Sequence, residues 1–242
     1  MIVVDSTFNV FVYIMFRTNS SGLIVARATN QTNINITNCD VNYSIMFQKK
    51  EYAQSPGVLG FVRDINMSLI LNVSTRIYVN NTETPGSGFI ATGWESNFTV
   101  VNTTADITLR GDSHGTGFIG LMELNYSCKS GTQRYCHRSD GNNMTFVNYT
   151  GRSDVTGQHG TGNIAGKIGY YSYIHLVNIT VMGKAYGSEG ADEPRCEGIV
   201  IGHINDGLSA VMYNISVPQA RILSRQFNVG VQGLLIGENG KM

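Results

Sequence analysis

The sequence predicts an all-β fold, a parallel β-helix or β-solenoid of about six repeat units of 29–45 residues. Three observations carry that expectation. A glycine followed by apolar residues recurs seven times, and an asparagine inside an apolar strand follows each of the first six copies in phase. The composition is also poor in charge, at 14% Asp, Glu, Lys and Arg, and rich in turn formers, with 28 Gly and 23 Asn among 242 residues.

The repeat glycines are Gly22, Gly57, Gly88, Gly117, Gly162, Gly198 and Gly233, spaced 35, 31, 29, 45, 36 and 35 residues apart. The asparagine series is Asn38, Asn72, Asn102, Asn148, Asn178 and Asn214; four follow their glycine by 15 or 16 residues and Asn102 by 14. Asn148 lags Gly117 by 31 residues because a polar insert, about residues 128–143, interrupts that unit. The tetrapeptide His114-Gly115-Thr116-Gly117 returns one unit later as His159-Gly160-Thr161-Gly162. Two unrelated elements that keep phase through six copies mark residues 1–242 as one repeat array.

Each unit has β-branched stretches of alternating apolar residues, such as Ser68–Val79, Phe98–Leu109, Ile174–Met182 and Ala210–Val217. One unit alone cannot bury such a face. Units stacked at about 4.8 Å would pair each strand with its counterparts above and below and enclose a narrow apolar core. A glycine at the head of each unit is expected to provide a corner with positive φ or a close backbone approach. The repeated asparagines are expected to stack in one column, each amide hydrogen-bonding the next. Neither end of the array shows an obvious polar cap, so end-to-end pairing or continuation of a longer array is expected.

The Gly-apolar-apolar-Gly pattern, best seen at Gly57-Val58-Leu59-Gly60, Gly117-Phe118-Ile119-Gly120 and Gly233-Leu234-Leu235-Ile236-Gly237, resembles the GLUG-type repeats of large surface proteins. Gly22-Leu23-Ile24-Val25 lacks the second glycine, and Gly162-Asn163-Ile164 places a polar residue inside the motif. The resemblance implies a β-solenoid stalk or adhesin-like segment and brings no catalytic residue with it.

Seventeen basic and seventeen acidic residues cancel, without long runs of either sign, which argues against nucleic acid as a partner. No apolar stretch reaches the roughly 20 residues of a transmembrane helix. Fourteen Asn-X-Ser/Thr sequons occur where chance would give about four. Those within the repeated asparagine series read as structural, whereas Asn19, Asn30, Asn80 and Asn143 lie in loop-like sequence suited to glycans. An extracellular or cell-surface location follows as an expectation.

Cys128 and Cys136 are close enough in sequence to close a small disulfide loop inside the insert. Cys39 and Cys196 belong to units too far apart along a stack for a bridge. A zinc site on Cys128, Cys136 and His137 lacks an evident fourth ligand, and the His114/His159 pair reads as turn chemistry, so neither a metal nor a cofactor is expected. Trp94, with Tyr170, Tyr171 and Tyr173 at a similar offset in a later unit, is a candidate platform for stacking on sugar rings. No paired carboxylates recur at repeat-matched positions and no nucleophile elbow occurs, so no catalytic residue is assigned. The expected role is a non-enzymatic structural or adhesive surface module with a protein or glycan ligand. A carbohydrate-binding or carbohydrate-active β-helix is the alternative.

Overall fold

A computed structural model of the chain describes residues 1–14, 21–30, 33–52, 56–65, 67–83, 86–111, 115–123, 142–157, 160–169, 172–187, 195–204, 209–223, 230–233 and 236–239. Among them every regular element is a strand, and every strand pairing is parallel. The chain winds through successive coils. The first holds β1 (Ile2–Val4), β2 (Thr7–Ile14) and β3 (Ser21–Ala28), and the second holds β4 (Ile34–Thr37), β5 (Asp40–Tyr52) and β6 (Pro56–Arg63). The third holds β7 (Ser68–Leu71), β8 (Ser74–Glu83) and β9 (Gly86–Trp94), and the fourth holds β10 (Asn97–Gly111), β11 (Gly115–Thr116) and β12 (Ile119–Glu123). The fifth holds β13 (Asn143–Gly157) and β14 (Ala165–Ile168), and the sixth holds β15 (Tyr173–Gly187), β16 (Arg195–Gly198) and β17 (Ile201–Ile204). The last holds β18 (Ser209–Ser216), β19 (Ala220–Leu223), β20 (Gly230–Gly233) and β21 (Ile236–Asn239).

Stacking sorts these strands into two large sheets. The first runs β1-β4-β7-β10-β13-β15-β18, extended sideways by β2, β5, β8 and β19; the second runs β3-β6-β9-β12-β14-β17-β21. A short pair, β16-β20, forms a third. Five coils have neighbours on both sides and one at each end has a neighbour on one side only. The solenoid therefore has about five complete turns, one fewer than the repeat count suggests.

The core is built from columns of equivalent residues. Ile36, Ile70, Val100, Phe146 and Leu176 stand in register and are each 0% exposed. Strict alternation explains this: in β10 every second residue from Phe98 to Leu109 points inward except at Asn102, where the phase resets. Phe89 and Phe118 stack face to face with centroids 4.8 Å apart, and Phe146 and Tyr149 meet Phe118 edge-on.

The glycines also form a column, for a reason narrower than the sequence suggested. Gly22, Gly57 and Gly88 are in register, as are Gly198 and Gly233. None of the seven has positive φ. Five of them, Gly22, Gly57, Gly88, Gly117 and Gly162, are required by close approach: a Cβ on Gly57 would lie 2.6 Å from the Gly88 carbonyl oxygen, and one on Gly117 would lie 2.6 Å from that of Gly162. Positive φ is found instead at the asparagine column and at other corner residues such as Asn30, Asp64 and Glu95.

The register passes the insert without a break. Asn97 pairs with Asn143, and the pairing continues to Leu109 with Val155. Asn143, read from the sequence as the end of the insert and as a loop sequon, is the first residue of β13.

Candidate functional site

The feature nearest to a built site begins at the corner that divides the first sheet. Asn38, Asn72, Asn102, Asn148, Asn178 and Asn214 all have φ between 49° and 55°. Asparagine tolerates this left-handed conformation better than other residues with a Cβ, and one such residue turns the chain between two strands. The side-chain amides then form a ladder. Nδ2 of Asn72 donates to Oδ1 of Asn38 at 3.0 Å, Asn102 to Asn72 at 3.2 Å, Asn148 to Asn102 at 3.0 Å, Asn178 to Asn148 at 3.0 Å and Asn214 to Asn178 at 2.9 Å. Sequence reasoning missed a seventh member, Asp5, which has φ 48° and accepts from Asn38 Nδ2 at 3.0 Å. Its signal was present, since Asp5 stands 33 residues before Asn38, one ordinary period.

Beyond the ladder, the second half of the first sheet presents an open groove of about 540 Å³. Two outward columns line it. One carries Asp40, Ser74, Thr104 and Thr150 in register, and the other, two residues further along each strand, carries Asn42, Arg76, Asp106 and Arg152. The second column alternates in sign. Arg76 Nε lies 3.8 Å from Asp106 Oδ2, with both side chains at least half exposed, and Arg110 reaches Asp154 at 3.9 Å. Pairs this exposed contribute little to stability. They leave charged and hydroxyl groups on a surface that repeats every coil. Asp40 and Asp106, the two carboxylates here, sit two coils apart and in different columns, separated by roughly 10 Å or more from the strand spacing.

The Trp94 platform is built differently from its sequence reading. Trp94 ends β9, is half-buried and meets Phe61 edge-on, with centroids 5.0 Å apart and planes at 78°. The Arg63 guanidinium lies over its ring at 5.8 Å, and that of Arg27 lies over Phe61 at 5.3 Å. Trp94 Nε1 is buried without a hydrogen-bond partner among the described residues. Tyr173 is not in this cluster. It is 37% exposed on the outer face of the first sheet, in register with Asn143, and its ring centroid is 6.3 Å from that of His175.

Two glycan candidates also change character. Asn80 is half-buried inside β8, and Asn143 donates through Nδ2 to Asn97 Oδ1 at 3.0 Å. Both were read as loop positions because their neighbours are polar; register with adjacent coils overrode that local signal. Asn30 does occupy an exposed bend, with φ 66°. Cys39 is buried and free, its Sγ donating to the Thr37 carbonyl at 3.2 Å, while Cys196 lies in β16 opposite Val231. Asn19, His114, Cys128, Cys136, His137, His159, Tyr170 and Tyr171 lie outside the described residues.

Among the described residues no group of three His, Cys, Asp or Glu could hold a metal ion, and no helix is long and apolar enough to cross a membrane. No family model matches the chain, and no curated protein or solved structure does either.

Proposed function

We propose that this chain is a structural, adhesive surface module that offers the groove beside the asparagine ladder to an extended protein or glycan ligand. The observation that carries this reading is the repetition of hydrogen-bonding groups at one height per coil along the groove: Ser74, Thr104 and Thr150 in one column, Arg76, Asp106 and Arg152 in the next. A ligand with its own short axial repeat can meet the same chemistry at each step. Weak contacts of this kind add through multivalency. Alternating Arg and Asp side chains also suit a polyhydroxylated chain, because guanidinium groups donate and carboxylates accept.

A stalk or adhesin-like setting, as the GLUG-like pattern implies, would place the module on a cell surface, with Asn30 the sequon best suited to a glycan. The non-enzymatic reading is supported by the separation of Asp40 from Asp106, the two carboxylates among the described residues lining the groove. Binding measured on glycan and cell-surface protein arrays, with the Arg76→Ala/Arg152→Ala double variant as comparison, tests the assignment. A tenfold or greater loss of binding on the variant is expected. Binding that is unchanged would remove the groove from the reading, and cleavage of a bound polysaccharide would replace it with the carbohydrate-active alternative.

A further inference from the structure

The ladder corner divides the first sheet into two stretches whose outward faces differ in kind. Past the corner the outward positions include Asp106 and Arg110 in β10, Arg152 and Asp154 in β13 and Lys184 in β15. Before the corner, among the described residues, the outward positions of β4, β7, β10, β13, β15 and β18 carry no Asp, Glu, Lys or Arg. One column there runs Leu71, Val101, Val147, Val177, Tyr213, and the column beside it includes Leu69, Thr99, Thr145 and His175. Tyr173, 37% exposed, belongs to a third column with Asn97 and Asn143. The inward positions of the same strands form the core, so this part of the sheet lacks full charges on both faces. Parallel strands of that kind are ordinarily covered on both sides, and an outward face with aromatic and β-branched residues but no full charge has the composition of an interface centre.

The shape of the face selects its partner. Each strand contributes one row of side chains, about 4.8 Å from the next. An identical face repeats that spacing, so its rows can settle between these along the whole length, and a two-fold axis presents the same face from both copies. No full charge is present to select a partner of opposite sign. The column from Thr37 to Tyr213 spans six coils. Three columns two residues apart over that height give roughly 600 Å² a side, so a pair would bury about 1,200 Å², where specific interfaces begin. The insert is the rival occupant from within the chain, but it carries Lys129, Arg134, Arg138 and Asp140, charges that this face does not answer.

We propose that this charge-free face docks a second copy of the chain, face to face, as a closed two-fold pair. The groove lies past the corner, on other columns, and the proposal rests neither on its ligand nor on the adhesive reading.

Sedimentation velocity from 1 to 100 µM reads the outcome. The parent chain is expected to form a dimer as concentration rises. Val147→Lys, at the middle of the face, should weaken self-association at least tenfold, and Thr145→Lys in the next column should act alike, with β-rich circular dichroism retained in both. Thr108→Lys, outward in β10 but past the corner, should associate as the parent does. A parent chain that stays monomeric, a dimer that survives both Val147→Lys and Thr145→Lys, or an equal loss in Thr108→Lys would each overturn the proposal. Self-association that appears only after residues 125–141 are deleted would overturn it too, and would give the face to the insert.

Discussion

At the residue scale the ladder asparagines do two jobs that no other side chain combines: each occupies a left-handed corner and both donates to and accepts from its neighbours. Asn102→Ala is expected to cost roughly 2–4 kcal/mol, from two lost hydrogen bonds and from loss of the polar side chain that lets asparagine tolerate the left-handed region. Asn102→Gly, which keeps the corner free of strain, should cost about half as much; denaturant unfolding of the two variants measures the difference, and equal losses would refute the double role. A second residue-scale test concerns Asn163, the buried polar residue inside one copy of the repeat motif. Tyr149 donates to Asn163 Oδ1 at 3.1 Å, both residues are at most 1% exposed, and Asn163 Nδ2 has no partner among the described residues. Tyr149→Phe should destabilise by about 1–3 kcal/mol by stranding that oxygen, whereas Tyr149→Phe combined with Asn163→Leu should be less costly than the sum of the single changes. The ladder was legible in the sequence because its period survives insertion. Asp5 was missed despite lying one period before Asn38 because it is not an asparagine, and the Tyr149–Asn163 pair joins positions from different columns that no repeat alignment sets side by side.

Among elements, the connections explain why units of unequal length keep one register. Trp94 and Asn97 are joined by two residues, and their register partners in the next coil are Glu123 and Asn143. Deleting residues 125–141 would leave Leu124 and Asn142 as an equivalent two-residue link. Such a chain is expected to keep its β-rich circular dichroism and to unfold within about 1 kcal/mol of the parent; loss of the fold would show that the insert contributes to the stack. The glycine column should be far less forgiving. Gly117→Ala directs a Cβ at the Gly162 carbonyl from 2.6 Å and closely approaches the Gly166 amide nitrogen as well, so the coils must move apart, and a loss of at least 2 kcal/mol on unfolding is expected. The sequence located these glycines and left two duties open, a positive-φ corner or a close backbone approach, of which the structure shows the second. Spacing reveals that a small residue is needed, and only packing reveals whether the need is φ or room.

Across the whole molecule, the buried tyrosines set an alkaline limit. Burial pushes the Tyr43 hydroxyl from 10.0 up to about 12 and raises that of Tyr149 further still. The folded state holds these protons more tightly than the unfolded chain, so the stabilisation is complete below about pH 10 and is lost as pH rises through about 12. Unfolding monitored between pH 8 and pH 12 should show a falling midpoint above pH 10, with a smaller slope in Tyr43→Phe. The overall architecture was the most legible level of all, because a solenoid repeats its folding instructions and the reader sees each of them several times. The groove was the least legible: its outward positions obey no hydrophobic pattern, and only the strand register reveals that Arg76, Asp106 and Arg152 are neighbours.

The one-way ladder also makes the molecule electrically directional. Parallel-sheet strands add little net dipole, but six side-chain hydrogen bonds share one direction, so their amide dipoles add along the stack as peptide dipoles do along a helix. The N–H ends converge on the first coil and the carbonyl ends on the last. Asp5 then holds the place an acidic cap holds at a helix start, its carboxylate at the electropositive end of the amide column.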